Sequence, residues 1–461
     1  MVTELSDRFA VVGDFIGGLQ FDDIPAPVVA HCQDLLLDLI GVAAVATTTE
    51  AGRIAAELAG TMFAAGSPGD GVGLIFDGRR LSAAGAAYAA ATAIDNFDAH
   101  DGMAPCKGHI GVATLPALLS FAQVAAGCSG REALTCLTLG YELASRAGLA
   151  LHESVDDYHT SGAWNTLAVA AIGARLLGLS KAELRNALGI AEFHGPRSQM
   201  MREIDHPSML HDGSGWGALA GVTAAFLAKR GFNGAPAITI EGADVAHHWQ
   251  DLGQTWLTLE QYIKPYPVCR WAHALVDGAL MLKERHDLEA GDIAGVTLAT
   301  FAESARLASA MPETTAQAQY SLAFPVAAAL VRGRVGVDEV TGTGLEDAAI
   351  AGLIGRTTVR EDARHSDRFP NGRWGDITLE LTDGSILQSG DINARGGPDQ
   401  PLGREAVTAK FRDYAVPIVG EVRSRAIEAA VFSMNGPDAS FDALVDLLLE
   451  PIETRRKLAL A

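Results

Sequence analysis

The sequence predicts a mainly α protein: a large all-α helical domain over residues 1–264 and 396–461, with a smaller α+β domain, 265–395, inserted before the C-terminal helices. Three observations carry this. The first 250 or so residues read as one alanine-rich apolar helix after another. After about Lys264 the texture turns to alternating, strand-like patterns. From LGREAVTAKFRDYA onward helical spacing returns.

Each element has a local reason. PAPVVAHCQDLLLDLIGVAAV sets apolar residues at helical spacing behind prolines, which fit a first turn whose N–H groups lack intrahelical partners anyway. SGREALTCLTLGYELASRAGLAL opens on a capping box of Ser129 and Glu132, and SKAELRNALGIAEF repeats it with Ser180 and Glu183. GWGALAGVTAAFLAKRG predicts a helix with small residues on its faces, ended by Gly231. Small faces let helices approach closely, so a dense bundle is expected. In the α+β part, AGVTLATF alternates Val296, Leu298 and Thr300 as a strand does. GDITLELTDGSILQSGD alternates Ile377, Leu379 and Leu381 before an Asp383-Gly384 turn, which predicts a hairpin. TAQAQYSLAFPVAAALVRG and GLEDAAIAGLIG read as helices between the strands.

Composition excludes several function classes. Of 461 residues, 48% are hydrophobic and 20% charged, which fills a sizeable core and argues against disorder. A net charge of −21 repels nucleic acid and anionic membrane, so neither is an expected partner. A small anionic substrate remains allowed, because a local set of Arg, Lys and His can oppose the global field. The cysteines (Cys32, Cys106, Cys128, Cys136, Cys269) form no CxxC pair and are odd in number. That argues against a disulfide framework or zinc knuckle and fits a reducing cytoplasm. MVTELSDRFA carries acids where a signal peptide needs basic and then apolar residues. The apolar run Leu35–Val45 is broken by Asp38 and is too short to span a bilayer. A cytoplasmic protein is expected.

Titratable residues gather in four places. DNFDAHDGMAPCKGHIG holds Asp95, Asp98, His100, Asp101, Lys107 and His109. DDYHTSGAWN holds His159 just before a helix start near Ser161. EFHGPRSQMMREIDHPSMLHDGSGWG holds His194, Arg197, Arg202, His206 and His211. IKPYPVCRWAHALVD holds Lys264, Tyr266, Arg270 and His273. Asp98, His100 and Asp101 are possible metal ligands, but HxE, HExxH and cysteine ligand sets are missing, and carboxylates so spaced more often cap helices. No metal is expected. GSGWG lacks the strand–Ser–turn setting of a hydrolase nucleophile, and Cys269 four residues before His273 reads as a small core residue. Phosphate loops and GxGxxG are missing, so no nucleotide cofactor is expected. What remains is acid–base work on an anion without a cofactor. Histidine titrates nearest neutrality, and Arg and Lys hold carboxylates by charge-assisted hydrogen bonds. Removing a proton beside a carboxylate needs a base, cations for the enolate-like intermediate, and often an acid for the leaving group.

These segments together resemble the MmgE/PrpD family, which includes 2-methylcitrate dehydratase, cis-aconitate decarboxylase and iminodisuccinate epimerase. The resemblance runs nearly end to end. Its markers, in order, are AIDNFDAHDG…KGHIG…LPALLSFA, YHTSGAWNTLAVAAIGARLLGL, HDGSGWGALAGVTAAFLAKRGFNGAP, YPVCRWAHALVDGAL, QAQYSLAFPVAAAL and GGPDQPLGREAVTAKF. It implies a large all-α domain, a smaller α+β lid, an active site between them and a homodimer. It places the family's acid on Asp98, with Asp95 as the alternative. It places histidines on His109, His159 and His273, with Arg270 beside the last. Two positions depart from the pattern. His211 stands where members commonly carry lysine, and Phe324 stands where a decarboxylase-type tyrosine falls, with Tyr320 close by.

The expected activity is that of a cofactor-free lyase, a hydratase/dehydratase acting on a small di- or tricarboxylate, similar to 2-methylcitrate dehydratase. Asp98, His109, His159 and His211 are the candidate catalytic residues. Lys107, His100, Arg270, His273 and Arg202 are the candidate ligands for substrate carboxylates. An epimerase of the iminodisuccinate type would need the same α-proton removal. A cis-aconitate-type decarboxylase and a non-catalytic binding relative are the remaining alternatives.

Overall fold

The computed structural model describes residues 2–67, 71–125 and 127–452, with side chains from Arg8 onward. Met1 and residues 68–70, 126 and 453–461, which the sequence assigns to the helical domain, lie outside the described residues. The fold is mainly α with a small sheet-containing part. The chain divides into two compact units. One gathers the chain up to Met200, His211–Gln261 and the stretch from Gly403 onward. The other comprises Met201–Leu210 and Tyr262–Leu402.

The first unit is helical. The helices that frame the site are α1 (Ala26–Ala46), α2 (Ala83–Asp95), α3 (Gly111–Ala125), α4 (Gly130–Ser154), α5 (Gly162–Leu176), α6 (Lys181–His194) and α7 (Ser214–Lys229). The small residues of α7 do what their size suggests. A Cβ on Gly217 would lie 2.7 Å from the Gly162 carbonyl, and one on Gly221 would lie 2.6 Å from that of Thr166. Helices α5 and α7 therefore touch backbone to backbone, which fixes the turn that leads into α7. The two predicted capping boxes differ. At α6 the box is complete, with Ser180 and Glu183 each accepting the other's backbone N–H. At α4 only half forms: Ser129 accepts the Glu132 N–H, but the Glu132 carboxylate turns to Arg175 at 2.6 and 2.9 Å. A bidentate charged pair outcompetes one backbone N–H.

Helix α1 runs for 21 residues, beyond the apolar stretch read from sequence, and is long and apolar enough to cross a membrane by length and composition alone. Its apolar window is 83% buried within the protein. The charge that interrupts it, Asp38, is fully buried and pairs at 2.6 Å with Lys410 of the returning helix Arg404–Val419.

The second unit holds a mixed sheet of β1 (Ile293–Thr300), β2 (Thr357–Glu361), β3 (Trp374–Leu381), β4 (Ile386–Gln388) and β5 (Ile392–Asn393). The order is β2-β1-β3-β4, with β5 also on β3; β1 and β2 are parallel and the other pairs antiparallel. The alternating Val296, Leu298, Ile377 and Leu379 are all buried. Helix α8 (His273–His286) packs on β3, where a Cβ on Gly278 would meet Ile377 at 2.9 Å. The predicted hairpin forms, with Gly384 at φ +85° and the Leu381 N–H donating to the Ser385 carbonyl. The helix expected over TAQAQYSLAFPV breaks in two, Thr315–Gln319 and α9 (Ala323–Arg332). Pro325 has no N–H to continue an earlier helix, so a new one starts just before it, capped by the Ser321 hydroxyl on the Phe324 N–H at 3.1 Å.

Candidate active site

The loop between α2 and α3, residues 96–110, carries the densest titratable cluster, and four anchors hold it. Asp101 accepts the Gly111 N–H at 3.0 Å and the Tyr141 hydroxyl at 2.8 Å. Gly111 has no side chain for a steric reason: a Cβ would lie 2.2 Å from Asp101 Oδ2. Lys410, already paired with Asp38, donates to the Ala99 carbonyl at 2.7 Å. Tyr158 donates to the Lys107 carbonyl at 2.6 Å, which holds that residue at φ +57°. Asp101 is thus a loop anchor, and burial pushes its carboxyl above the usual range.

The centre of the cluster is a histidine–carboxylate dyad. His109 Nδ1 lies 2.9 Å from Asp212 Oδ2. Asp212 Oδ1 accepts the Ser161 N–H at 3.2 Å, and Ser161 Oγ accepts the His109 backbone N–H at 2.9 Å. The loop, the N-terminus of α5 and the turn before α7 are therefore tied together through three residues. That turn is tight, with His211 at φ +39° and Gly213 at φ +69°. Asp95, at the end of α2, accepts the Ser214 N–H at the start of α7 at 2.9 Å.

His100 completes the group. Its ring meets that of His109 edge to face, with centroids 4.5 Å apart. Its Nε2 lies 3.8 Å from Asp95 Oδ1 and 3.9 Å from Asp98 Oδ1. Donor atoms of Asp95, His100 and His109 all fall within 4.8 Å of one another. Such a set could hold a divalent cation, and it is equally suited to passing protons.

The carboxyls of this cluster are pushed in opposite directions. Burial, and then the charge of Asp212, raise Asp95 well above the usual carboxylate range. Burial also acts to raise Asp212, but His109 and the hydrogen bonds from His109 and Ser161 outweigh it, and Asp212 is lowered. Burial and the neighbouring charge thus favour the protonated form of Asp95, while His109 and Ser161 favour the ionised form of Asp212. Groups driven apart in this way mark acid and base roles.

Of the residues singled out from sequence, Asp98, His100 and His109 meet here, all buried. His211 is buried next to Asp212. His159 is buried two residues before Ser161, and its backbone N–H donates to His152 Nε2 at 3.3 Å. Lys107 turns its ammonium onto the Tyr158 ring, 4.6 Å from the centroid. Arg202, Arg270 and His273 belong to the second unit. Arg202 is exposed on the short helix Met200–Asp205. Arg270 is buried and donates to the backbone carbonyls of Ala394 and Arg395, with His273 Nδ1 at 3.4 Å. Burial lowers its guanidinium to about 10, which leaves it charged at neutral pH.

Sequence reasoning missed Asp212, Ser161 and Lys410. Asp212 sits in the quoted HDGSGWG, where an acid before glycine and a helix reads as an ordinary cap. Lys410 lies far along the chain in a helix that also carries Arg404, Glu405, Arg412 and Asp413, so nothing local marks it out. The fully buried Lys264 of the second unit was noted in the fourth cluster but not singled out.

Comparison with known proteins finds matches over most of the chain. Residues 11–249 match the MmgE/PrpD N-terminal domain, and residues 266–435 match the MmgE/PrpD C-terminal domain. A cis-aconitate decarboxylase-like protein, oryM, of Aspergillus oryzae is 25% identical over 91% of this chain and 93% of its own. Human cis-aconitate decarboxylase is 24% identical over 90% of this chain and 88% of its own. The Aspergillus terreus cis-aconitate decarboxylase is 23% identical over 96% of each. Matched through both of its domains, the chain belongs to the MmgE/PrpD family.

Proposed function

We propose that the protein is a cofactor-free lyase that dehydrates a small hydroxylated di- or tricarboxylate, in the manner of 2-methylcitrate dehydratase. The observation that carries this is the geometry of one buried cluster, in which a carboxylate-backed histidine stands beside a carboxyl whose surroundings favour its proton. Asp212 takes the Nδ1 proton side of His109, which leaves Nε2 with the lone pair. Nε2 removes the proton from the carbon next to a substrate carboxylate. The electron pair left on that carbon forms a C=C bond as the neighbouring C–O bond breaks. Asp95 gives its proton to the departing hydroxyl, which leaves as water. The cycle ends with His109 protonated and Asp95 ionised. Their donor atoms lie within 4.8 Å, so the proton can return through His100 or a water. Proton transfer by a positioned acid or base contributes typically about 100- to 10,000-fold.

A second reading is decarboxylation, favoured by the names of the relatives. Three side chains weigh against it. Residue 324 is a fully buried phenylalanine with no proton to give, and the Tyr320 hydroxyl donates to buried Glu203. His211 also stands where the family resemblance implies a lysine. The test is direct. The purified protein is given cis-aconitate in one arm and citrate or 2-methylcitrate in the other. Dehydration predicts an unsaturated acid from the hydroxy acids with no CO2. CO2 from cis-aconitate with no dehydration in the other arm would replace this reading with the second.

A further inference from the structure

Three donor atoms converge at the outer end of α4, away from the dyad and sharing no residue with it. Glu153 Oε2 lies 2.6 Å from His248 Nε2 and 3.1 Å from His247 Nε2. The two imidazoles face each other, with centroids 4.0 Å apart and planes 38° apart. Donor atoms of all three fall within 4.8 Å of one another.

The backbone beneath them is built to stay in place. Arg146 stands seven residues before Glu153, on the same face of α4, and is buried. It donates to the carbonyls of His248, at 2.5 Å, and Thr255, at 2.8 Å, pairs with Asp251, and is backed by buried Glu142 at 3.5 Å. On the other side, Trp249 is buried and its indole N–H donates to the Thr239 carbonyl at 2.9 Å. The His-His step is thus clamped from both directions, while the side chains of Glu153 and His247 remain 51% and 53% exposed.

We propose that Glu153, His247 and His248 form a site for a divalent transition metal of the zinc class. Two imidazoles and a carboxylate are a recurring ligand set for zinc and its late first-row neighbours. Nitrogen and oxygen ligands about 2.1 Å from one tetrahedral ion stand roughly 3.4 Å apart, so the 3.1 Å pair is near that spacing and the 2.6 Å pair has to open by somewhat less than an ångström, which the half-exposed Glu153 side chain allows. With no cation, both Nε2 atoms have to aim an N–H at one carboxylate oxygen from facing rings. An ion accepts both lone pairs and moves each ring proton to Nδ1, with the exposed side open to water. The chain's net charge of −21 favours a cation at its surface. A bound ion would staple the end of α4 to the 246–249 turn.

The test uses untagged protein, stripped with a chelator and dialysed against Zn2+ alone at neutral pH. One equivalent is expected to bind and to raise the unfolding temperature. His247→Gln with His248→Gln, and separately the half-exposed Glu153→Gln, should weaken that binding by about tenfold or more and abolish the thermal shift, since even outer-sphere changes cost that much. Turnover of the carboxylate substrate should be unchanged in these variants. Circular dichroism of metal-free samples confirms that each is folded. No zinc uptake by the parent protein, or one equivalent retained by both variants, would overturn the proposal.

Discussion

Replacing Asp212 with asparagine tests the dyad, because it removes one charge and almost no volume. The aspartate accepts on both oxygens, from His109 Nδ1 at 2.9 Å and from the Ser161 N–H at 3.2 Å. Asparagine has one accepting oxygen. If that oxygen serves Ser161, the amide NH2 faces His109 Nδ1 and drives the ring proton to Nε2, the atom that has to take the substrate's proton. If it serves His109, the NH2 group opposes the Ser161 N–H, donor against donor. Loss of a positioned base is worth about 100-fold, and locking a catalytic histidine in the wrong tautomer about 10,000-fold. The expected fall in kcat lies between those figures, or roughly 3–5 kcal/mol of barrier. KM should change little, since Asp212 stands behind His109 and not in front of it. Initial rates on the accepted hydroxy acid give kcat and KM separately, and 15N shifts of His109 report the tautomer. A kcat within a few-fold of the parent, alongside an inactive His109→Gln, would refute the role given to Asp212.

Three further outcomes follow from the same contacts. Asp95 has a raised pKa when folded, so its proton stabilises the fold fully below the unfolded carboxyl's value of about 4, and that contribution is lost as pH rises through the raised value. Asp95→Asn keeps an acceptor for Ser214 and removes the titration; urea unfolding across pH should show stability falling less from acid to neutral than in the parent. Lys410→Met strips the buried Asp38 carboxylate of its 2.6 Å ammonium and frees the Ala99 carbonyl; a loss of about 3–5 kcal/mol is expected by chemical denaturation. Gly111→Ala drives a methyl to 2.2 Å from Asp101 and 2.4 Å from the Tyr141 hydroxyl; about 1–3 kcal/mol or more should be lost, with activity falling as the loop shifts.

Much of this architecture was legible because local chemistry and tertiary context agree. The small residues of GWGALAGV predict close helix packing, and the Gly217–Gly162 approach shows it. Alternation over Ile377, Leu379 and Leu381 with a following Asp-Gly predicts the hairpin that forms. The failures have one physical source, competition from residues distant in sequence. Glu132 leaves its capping box for Arg175, 43 positions away. Asp212 looks like a helix cap until the fold brings it to His109, a hundred residues earlier in the chain. Lys410 acquires its role only when the returning helix meets α1. Asp101, grouped by sequence with possible ligands, spends both carboxyl oxygens on Gly111 and Tyr141. Spacing alone does not separate it from Asp98 and Asp95, because all three fall within seven residues of sequence and differ in which neighbours reach them.

The central claim is that His109 moves a proton at carbon beside a carboxylate. Proton NMR in D2O tests it most directly, with the parent protein and His109→Gln each incubated with citrate, 2-methylcitrate and related dicarboxylates. The account predicts deuterium entering at the carbon next to a carboxylate of the accepted acid, together with vinyl signals of an unsaturated product, and neither in His109→Gln. Deuterium entering equally fast with His109→Gln, or no exchange and no product from any of these acids with the parent protein, would contradict it.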